Sequence, residues 1–338
     1  MTDTDKPHQL INALPDGAIV VDAAGLIMAA NASAEDALSL KLPGVHVTGV
    51  LRNTAFSEAL AQAREDGSPQ SVDIEVRGKP PRQLSAHLAP MGKSGEVLIL
   101  LRDLTREQAI EKMRSDFVAN ASHEMRTPLA SIMGTIETLQ GAAKNDAKAR
   151  DMFLETMLGQ ARRMKRLIDD LLTLSRIELN EHVRPNAKVS LVDIARQAKS
   201  NLSSLAKEAK VSVEIASTSA VEVAGDSEEL LQVVQNLLEN AIKYGGSGGR
   251  VEITCEQTGR DGTLSVRDFG KGIAEVHIPR LTERFYRVNT QESRQRGGTG
   301  LGLAIVKHIV LRHRGRLDVD SDLGQGSTFS VSIPLYNS

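Results

Sequence analysis

Apolar residues recur at three- and four-residue spacing from Ile110 through Met113, Phe117 and Ala121 to Ile132, Ile136 and Leu139. That spacing gathers them on one stripe of an α-helix. A second run of the same kind carries Phe153, Met157, Met164, Ile168, Leu171 and Leu174. Together they predict helices over about 105–140 and 147–179, broken by the polar residues 141–146. Thr105, with Gln108 three positions on, fits an N-cap and its partner at the start of the first helix. Two long amphipathic helices joined by a short loop make an antiparallel hairpin. Its stripe is too long for one partner helix to cover, whereas two hairpins packed as a four-helix bundle cover it, so the pattern predicts a homodimer.

The flanking segments carry a different pattern. Over 8–104, short strand-like runs at 17–22, 26–30, 71–76, 83–88 and 97–103 alternate with small helices, and Gly25, Gly67 and Gly95 punctuate the turns. Residues 184–188, with Pro185, read as a linker. Beyond 189 the pattern predicts a helix at 192–209, strands at 211–216 and 221–224, and a helix at 227–244. Strands at 250–257 and 263–268 follow, then a polar, Arg-rich stretch over 273–298, a helix at 301–313 and two closing strands. The expected architecture is multidomain α+β, with an N-terminal α+β domain over 8–104, the hairpin over 105–184 and a C-terminal α/β domain over 189–338. A chain of 338 residues accommodates two or three domains.

Composition narrows the classes of function. With 41% hydrophobic and 25% charged residues the chain is ordinary for a globular protein. A net charge of −2 gives no electrostatic case for nucleic acid or an anionic membrane. The single cysteine, Cys255, excludes an intrachain disulfide framework and reads as a small buried residue in a strand. No apolar run approaches the roughly 18–20 residues that span a bilayer, and the polar start MTDTDKPHQ is no signal peptide. The expectation is a cytoplasmic chain, or the cytoplasmic part of a membrane-anchored one.

Four stretches carry candidate chemistry. In Phe117–Ile132 (FVANASHEMRTPLASI), His123 stands beside Glu124 and shares a helix face with Thr127 at i+4. Pro128 cannot donate to the carbonyl of Glu124, which weakens the helix just past the histidine. In 227–244, at about 100° per residue, Leu230, Val234, Leu237 and Ala241 share one face, while Asn236, Asn240 and Lys243 share the opposite one. Asn is a poor helix former, so two of them four apart suggest a polar site; a solvated face is the plain alternative. Asp268-Phe-Gly270-Lys-Gly272-Ile273 ends a strand with period-two alternation. A carboxylate there can accept from an exocyclic amine, and the glycines admit a flat base; alone, the stretch also fits an ordinary turn. Gly297-Gly298-Thr299-Gly300-Leu301-Gly302 precedes a helix and exposes backbone N–H groups suited to phosphate. It matches neither a dinucleotide fingerprint, since position 305 is Ile, nor a Walker motif.

His-Glu-x-x-Thr-Pro on a helix resembles the phospho-acceptor box of the sensor histidine kinases that dimerise through a hairpin, and the chain in its overall look resembles the phosphate-regulon sensor type of that family. NLLENAIKY (Asn236–Tyr244), DFGKGI (Asp268–Ile273), RFYR (Arg284–Arg287) and GGTGLGL (Gly297–Leu303) resemble, in order, the N, G1, F and G2 boxes of the catalytic domain of that family. No required residue is missing. LPDGAIVVDAAGLIMAANASAEDAL resembles the opening of a PAS domain, with Asn31 at the end of the second strand. The resemblance implies a PAS-like domain, a helical hairpin and an ATP-binding α/β sandwich of the Bergerat type. It implies that ATP phosphorylates His123 with Glu124 as general base, that Asn240 holds Mg²⁺, and that Lys243, Tyr244 and Arg287 contact phosphates. Asn236 belongs to the same box. Asp268 would read adenine between Gly270, Gly272 and Ile273, and Gly298, Thr299, Gly300, Leu301 and Gly302 would cradle phosphate. It further implies transfer to an aspartate of a response regulator, and a role for Thr127 in removing phosphate from that regulator.

Two rivals stand beside this reading. A gyrase- or Hsp90-like ATPase shares these boxes but places a water-activating Glu where Asn236 stands, and an amide cannot act as that base. A non-catalytic signalling scaffold has no use for a complete nucleotide site. For the N-terminal domain, His46 and His87 are scattered and fit ordinary surface residues better than haem ligands, so a dimerising relay without cofactor is the preferred reading.

Overall fold

The computed structural model describes residues 11–76, 78, 80–92, 95–180, 182–216, 220–289 and 298–336. The polar start of the chain, Gly297 and most of the Arg-rich stretch beyond 289 lie outside the described residues. The chain divides into two compact units, Met1–Ala119 and Asn120–Ser338.

In the first unit, strands β1 (Gly17–Val21), β2 (Ile27–Ala30), β3 (Gln70–Val76), β4 (Arg82–Met91) and β5 (Glu96–Asp103) form one antiparallel sheet. Its strand order is β2-β1-β5-β4-β3. Helices α1 (Ala32–Leu38), α2 (Val47–Val50) and α3 (Thr54–Asp66) complete the unit. Alternation decides which side chains enter the core: Val97, Ile99 and Leu101 of β5 join Ile19, Phe56, Leu84 and Leu88. Interior strand β1 is buried throughout, because Ala18 and Val20 pack on the other face with Ile11 and Ala29. That double burial is why its sequence, GAIVV, reads as a continuous apolar run.

One buried amide organises this unit. Asn31 is 2% exposed. Its Oδ1 accepts the N–H of Ala34, capping α1, and the N–H of Ala18, each at 2.9 Å. Its Nδ2 donates to the carbonyls of Ile11 at 3.0 Å, Leu14 at 3.3 Å and Asp16 at 2.9 Å. Both ends of the amide are satisfied.

Helix α4 (Thr105–Gln140) begins in this unit. Thr105 is its first residue and not its N-cap, a correction to the sequence reading. The hydroxyl of Thr105 instead accepts the N–H of Gln83, and its own N–H donates to Asp103 Oδ1, each at 2.9 Å. Hydrogen bonding from the Thr105 side chain holds the Asp103 carboxyl below its ordinary pKa.

In the second unit α4 continues without interruption through Pro128 and is followed by α5 (Ala147–Leu179), capped by Asp146 on the N–H of Ala149 at 2.9 Å. Strands β6 (Ala187–Ser190) and β8 (Glu222–Gly225) pair as a small sheet. Part of the stretch expected to be linker is therefore strand, because β8 offers it a ladder that no local pattern announces. A five-stranded sheet comprises β7 (Ser212–Ile215), β9 (Arg250–Thr258), β10 (Asp261–Asp268), β11 (Arg316–Asp322) and β12 (Gly326–Pro334), in the order β11-β12-β10-β9-β7. Only the β7–β9 pairing in it is parallel.

Helices α6 (Leu191–Asn201), α7 (Ser203–Ala209), α8 (Ser227–Gly245) and α9 (Gly302–Arg312) accompany that sheet. The single helix expected over 192–209 is two, broken at Leu202 with φ −99° and ψ 10°. Asn201, Ser203 and Ser204 are weak helix formers at that break. The core side of the sheet carries Val251, Ile253, Leu264, Val266 and Val331, all buried. On its other side Thr263 bonds Ser332 at 3.0 Å and Ser265 bonds Ser330 at 2.8 Å.

Asn31→Asp provides a nearly isosteric test of the amide's role. A carboxylate cannot donate to the three carbonyls, and a buried group left unsatisfied costs on the order of 1–3 kcal/mol, more when charged. The substitution should lower the unfolding free energy of the N-terminal unit by about 3 kcal/mol or more, read by chemical denaturation; a loss below about 1 kcal/mol would contradict the assignment.

Candidate functional site

Asp226 starts α8 by accepting the N–H groups of Glu228 and Glu229 at 2.9 and 3.1 Å. The phase of the helix then follows its apolar face: Leu230, Val234, Leu237 and Ala241 are buried. The polar face lies along a cavity of ≈ 490 Å³, where Asn236, Glu239, Asn240, Lys243 and Tyr244 form one wall. Lys243 Nζ is 2.5 Å from Glu239 Oε1. The Asn236 amide nitrogen is buried without a protein partner.

Asp268, the last residue of β10, lies in the same cavity at 7% exposure. Its Oδ1 accepts the N–H of Gly270 at 2.9 Å. Burial raises its carboxyl above the ordinary carboxylate pKa, against the lowering effect of backbone donors at Gly270 and Ser327. The close approach of β10 to α8 requires a glycine at 245, since a Cβ there would fall 2.2 Å from the Cβ of Asp268. Gly272 and Ile273 continue the lining.

The opposite wall is Arg287 with Gly298, Thr299, Gly300 and Gly302. Phe285 has a positive φ of 64° and donates its N–H to the carbonyl of Gly300 at 2.8 Å. Gly300 has φ 77°, and a Cβ on it would fall 2.9 Å from the Cα of Phe285. This clip of a strained residue against a glycine aligns the two segments, and Arg287 Nη2 donates to the carbonyl of Thr299 at 2.7 Å. Leu301 is buried behind the wall and donates its N–H to the hydroxyl of Thr299 at 3.3 Å.

The third wall comes from the hairpin, through Arg166 and Asp170 of α5. Leu167, Leu174 and Ile177 are buried on the same stretch, and α5 packs on α9. Around this apolar contact runs a set of polar ones. Thr299 Oγ1 donates to Asp170 Oδ2 at 2.7 Å. Arg284 and Glu178 form an ion pair. Arg312 pairs with Glu229 and donates its Nε to the carbonyls of Asn180 and Val183 at 3.1 and 3.0 Å. Burial raises the Asp170 carboxyl above its ordinary pKa, opposed by the Thr299 bond.

On α4, His123 is exposed. Glu124 beside it is held between two guanidiniums: Arg163 of α5 at 2.9 Å, and Arg287, which bonds both carboxylate oxygens at 3.0 and 3.4 Å. The Thr127 hydroxyl donates to the backbone carbonyl of His123 at 3.3 Å.

The residues singled out from the C-terminal sequence thus share one cavity, apart from Gly270 and Leu301 immediately behind it. His123, Glu124 and Thr127 stand outside the cavity, and Glu124 reaches it through Arg287. Sequence reasoning missed Arg163, Arg166 and Asp170. Their spacing puts them on one face of α5, and that regularity was the available signal. Among the described residues no cluster of three or more His, Cys, Asp or Glu side chains suits a metal ion. A lone amide oxygen from Asn240 fits Mg²⁺, which keeps waters and substrate phosphates and takes few protein ligands.

Comparison with known proteins agrees with this architecture. Residues 11–109 match the PAS fold, 113–180 the His Kinase A (phospho-acceptor) domain, and 225–337 the histidine kinase-, DNA gyrase B- and HSP90-like ATPase family. The chain is 36% identical over 329 residues to the phosphate regulon sensor protein PhoR of Pseudomonas aeruginosa, covering 96% of this chain and 73% of that protein. It is 38% identical over 227 residues to sensor histidine kinase RppB of Synechocystis, covering 67% of this chain and 50% of the relative. The solved structure of the Acinetobacter baumannii histidine kinase AdeS aligns with a TM-score of 0.52 at 27% identity, over 64% of this chain and 98% of that one. The three domain matches in this order, and the identity to PhoR across almost the whole chain, place it in the family of sensor histidine kinases.

Proposed function

We propose that this chain transfers the γ-phosphoryl group of ATP to an imidazole nitrogen of His123 and passes it on to an aspartate of a response regulator. The observation that carries the reading is one cavity whose walls are the Asn240 face of α8, Asp268, the Thr299 loop and the hairpin that bears His123. In this reading Asp268 accepts from the adenine amino group, and Lys243, Tyr244 and the N–H groups around Thr299 bind phosphate. Mg²⁺, held by Asn240, supplies charge neutralisation on the phosphates. Glu124 takes the proton from one ring nitrogen of His123 while the other bonds to phosphorus and the bond to ADP breaks. Asn236 argues against a water-activating ATPase, because an amide cannot take that proton. Use of ATP puts the reaction in the cytoplasm. Among the described residues no helix is long and apolar enough to cross a membrane.

The hairpin supplies the dimer interface in this reading. Ile110, Met113, Leu129, Met133, Ile136, Leu154, Leu158 and Ile168 are exposed in the single chain. A second hairpin would cover them, as in a four-helix bundle.

His123→Ala should abolish acid-labile, base-stable labelling from γ-labelled ATP while leaving ATP binding intact. Asn240→Ala should remove labelling although His123 is present. Wild-type labelling in either folded variant would overturn the corresponding role.

Thr127→Ala separates two activities. The proposal assigns its hydroxyl to a water that attacks the regulator's aspartyl phosphate, so the variant should keep autophosphorylation and lose regulator dephosphorylation by about a hundredfold, the lower end of what one positioned proton-transfer contact contributes. If the hydroxyl serves only its bond to the His123 carbonyl, the rate of dephosphorylation stays unchanged.

A further inference from the structure

Arg287 and Thr299 are the two side chains of the phosphate-facing wall that reach the hairpin. The side chain of Arg287 is 5% exposed. Its Nη1 and Nη2 serve Glu124, and Nη2 also serves the carbonyl of Thr299. Its Nε is buried, without a protein acceptor. Glu124 occupies the Nη1/Nη2 fork of the Arg287 guanidinium, so a phosphate that takes that fork must displace the carboxylate. The hydroxyl of Thr299 has a single proton, which goes to Asp170, and its oxygen already accepts from Leu301. Asp170 and Glu239 also put two carboxylates on the cavity lining, where a triphosphate would meet like charge.

We propose that the hairpin carboxylates Glu124 and Asp170 compete with the nucleotide phosphates for Arg287 and Thr299, so that nucleotide binding and attachment of this loop to the hairpin oppose each other. The inference rests on the reading of the cavity as an ATP site. Arg163 makes the exchange feasible: when Arg287 leaves, Glu124 keeps a guanidinium at 2.9 Å and is not left as an unpaired, mostly buried charge. The carboxylate next to His123 then loses the Arg287 guanidinium at the moment phosphate arrives, which frees a lone pair for the imidazole proton. Nucleotide binding and exposure of the base are thereby coupled, and such coupling is reciprocal.

The test is the affinity of the full chain for a non-hydrolysable ATP analogue with Mg²⁺, measured by equilibrium titration. Asp170→Ala and Glu124→Ala each remove one competitor and should tighten binding roughly fivefold or more, the lower end of ordinary site-to-site coupling. Arg163→Ala removes the guanidinium that Glu124 keeps when Arg287 leaves, and should weaken binding. Opposite signs from neighbouring substitutions are not a result that misfolding produces. Affinity that is unchanged or weaker in both carboxylate variants overturns the competition while leaving the nucleotide site intact. Failure of the wild-type chain to bind the analogue at all overturns the ATP reading and the competition with it.

Discussion

The carboxylate of Glu124 joins the acceptor helix, the second hairpin helix and the loop facing the cavity, because it bonds Arg163 and Arg287 at the same time. Its side chain is 15% exposed, and those of Arg163 and Arg287 are 14% and 5%. Charges this far out of water contribute little net stability as a pair, yet removing one partner strands the other at a cost of several kcal/mol. The arrangement therefore acts as a constraint on geometry more than as a source of stability. It fixes where the cavity wall of Arg287 and Thr299 stands relative to the helix of His123, and Thr299–Asp170 and Arg284–Glu178 add further polar contacts along α5.

Beneath that polar layer lies an ordinary apolar contact. Leu167, Leu174 and Ile177 of α5 are buried where it meets α9, and burying such side chains is worth roughly 1.5–3 kcal/mol each. Area burial makes the contact; the ion pairs decide its register. The chain leaves the hairpin under similar control, with Arg312 holding the carbonyls of Asn180 and Val183. Next to it His313 is fully buried, accepting the N–H of Asp226 at Nε2 and donating from Nδ1 to the carbonyl of Ile309. Burial depresses its pKa, so it serves there as a neutral ring.

Much of this was legible in the sequence where local physics acts alone. The hairpin helices begin and end as their periodicity predicts, because a polar loop and an Asp cap stand at the break. The wheel of α8 separated Asn236 and Asn240 from Leu237 and Ala241 for the same reason. What escaped depended on partners distant in the chain. Strand β6 exists because β8 pairs with it, Thr105 spends its hydroxyl on Gln83, and Asp170 gains its role from a threonine 129 residues away. Asn31 lay between the two cases: its capping of α1 is local, whereas its bonds to Ala18 and Ile11 are not.

The central claim is that phosphate moves from ATP to an imidazole nitrogen, and phosphorus NMR of the wild-type protein mixed with MgATP tests it most directly. The account predicts a protein-bound phosphoramidate signal that survives alkali, disappears on acidification and appears with equimolar ADP. Release of inorganic phosphate with ADP and no protein-bound signal would contradict it and identify the chain as a hydrolase.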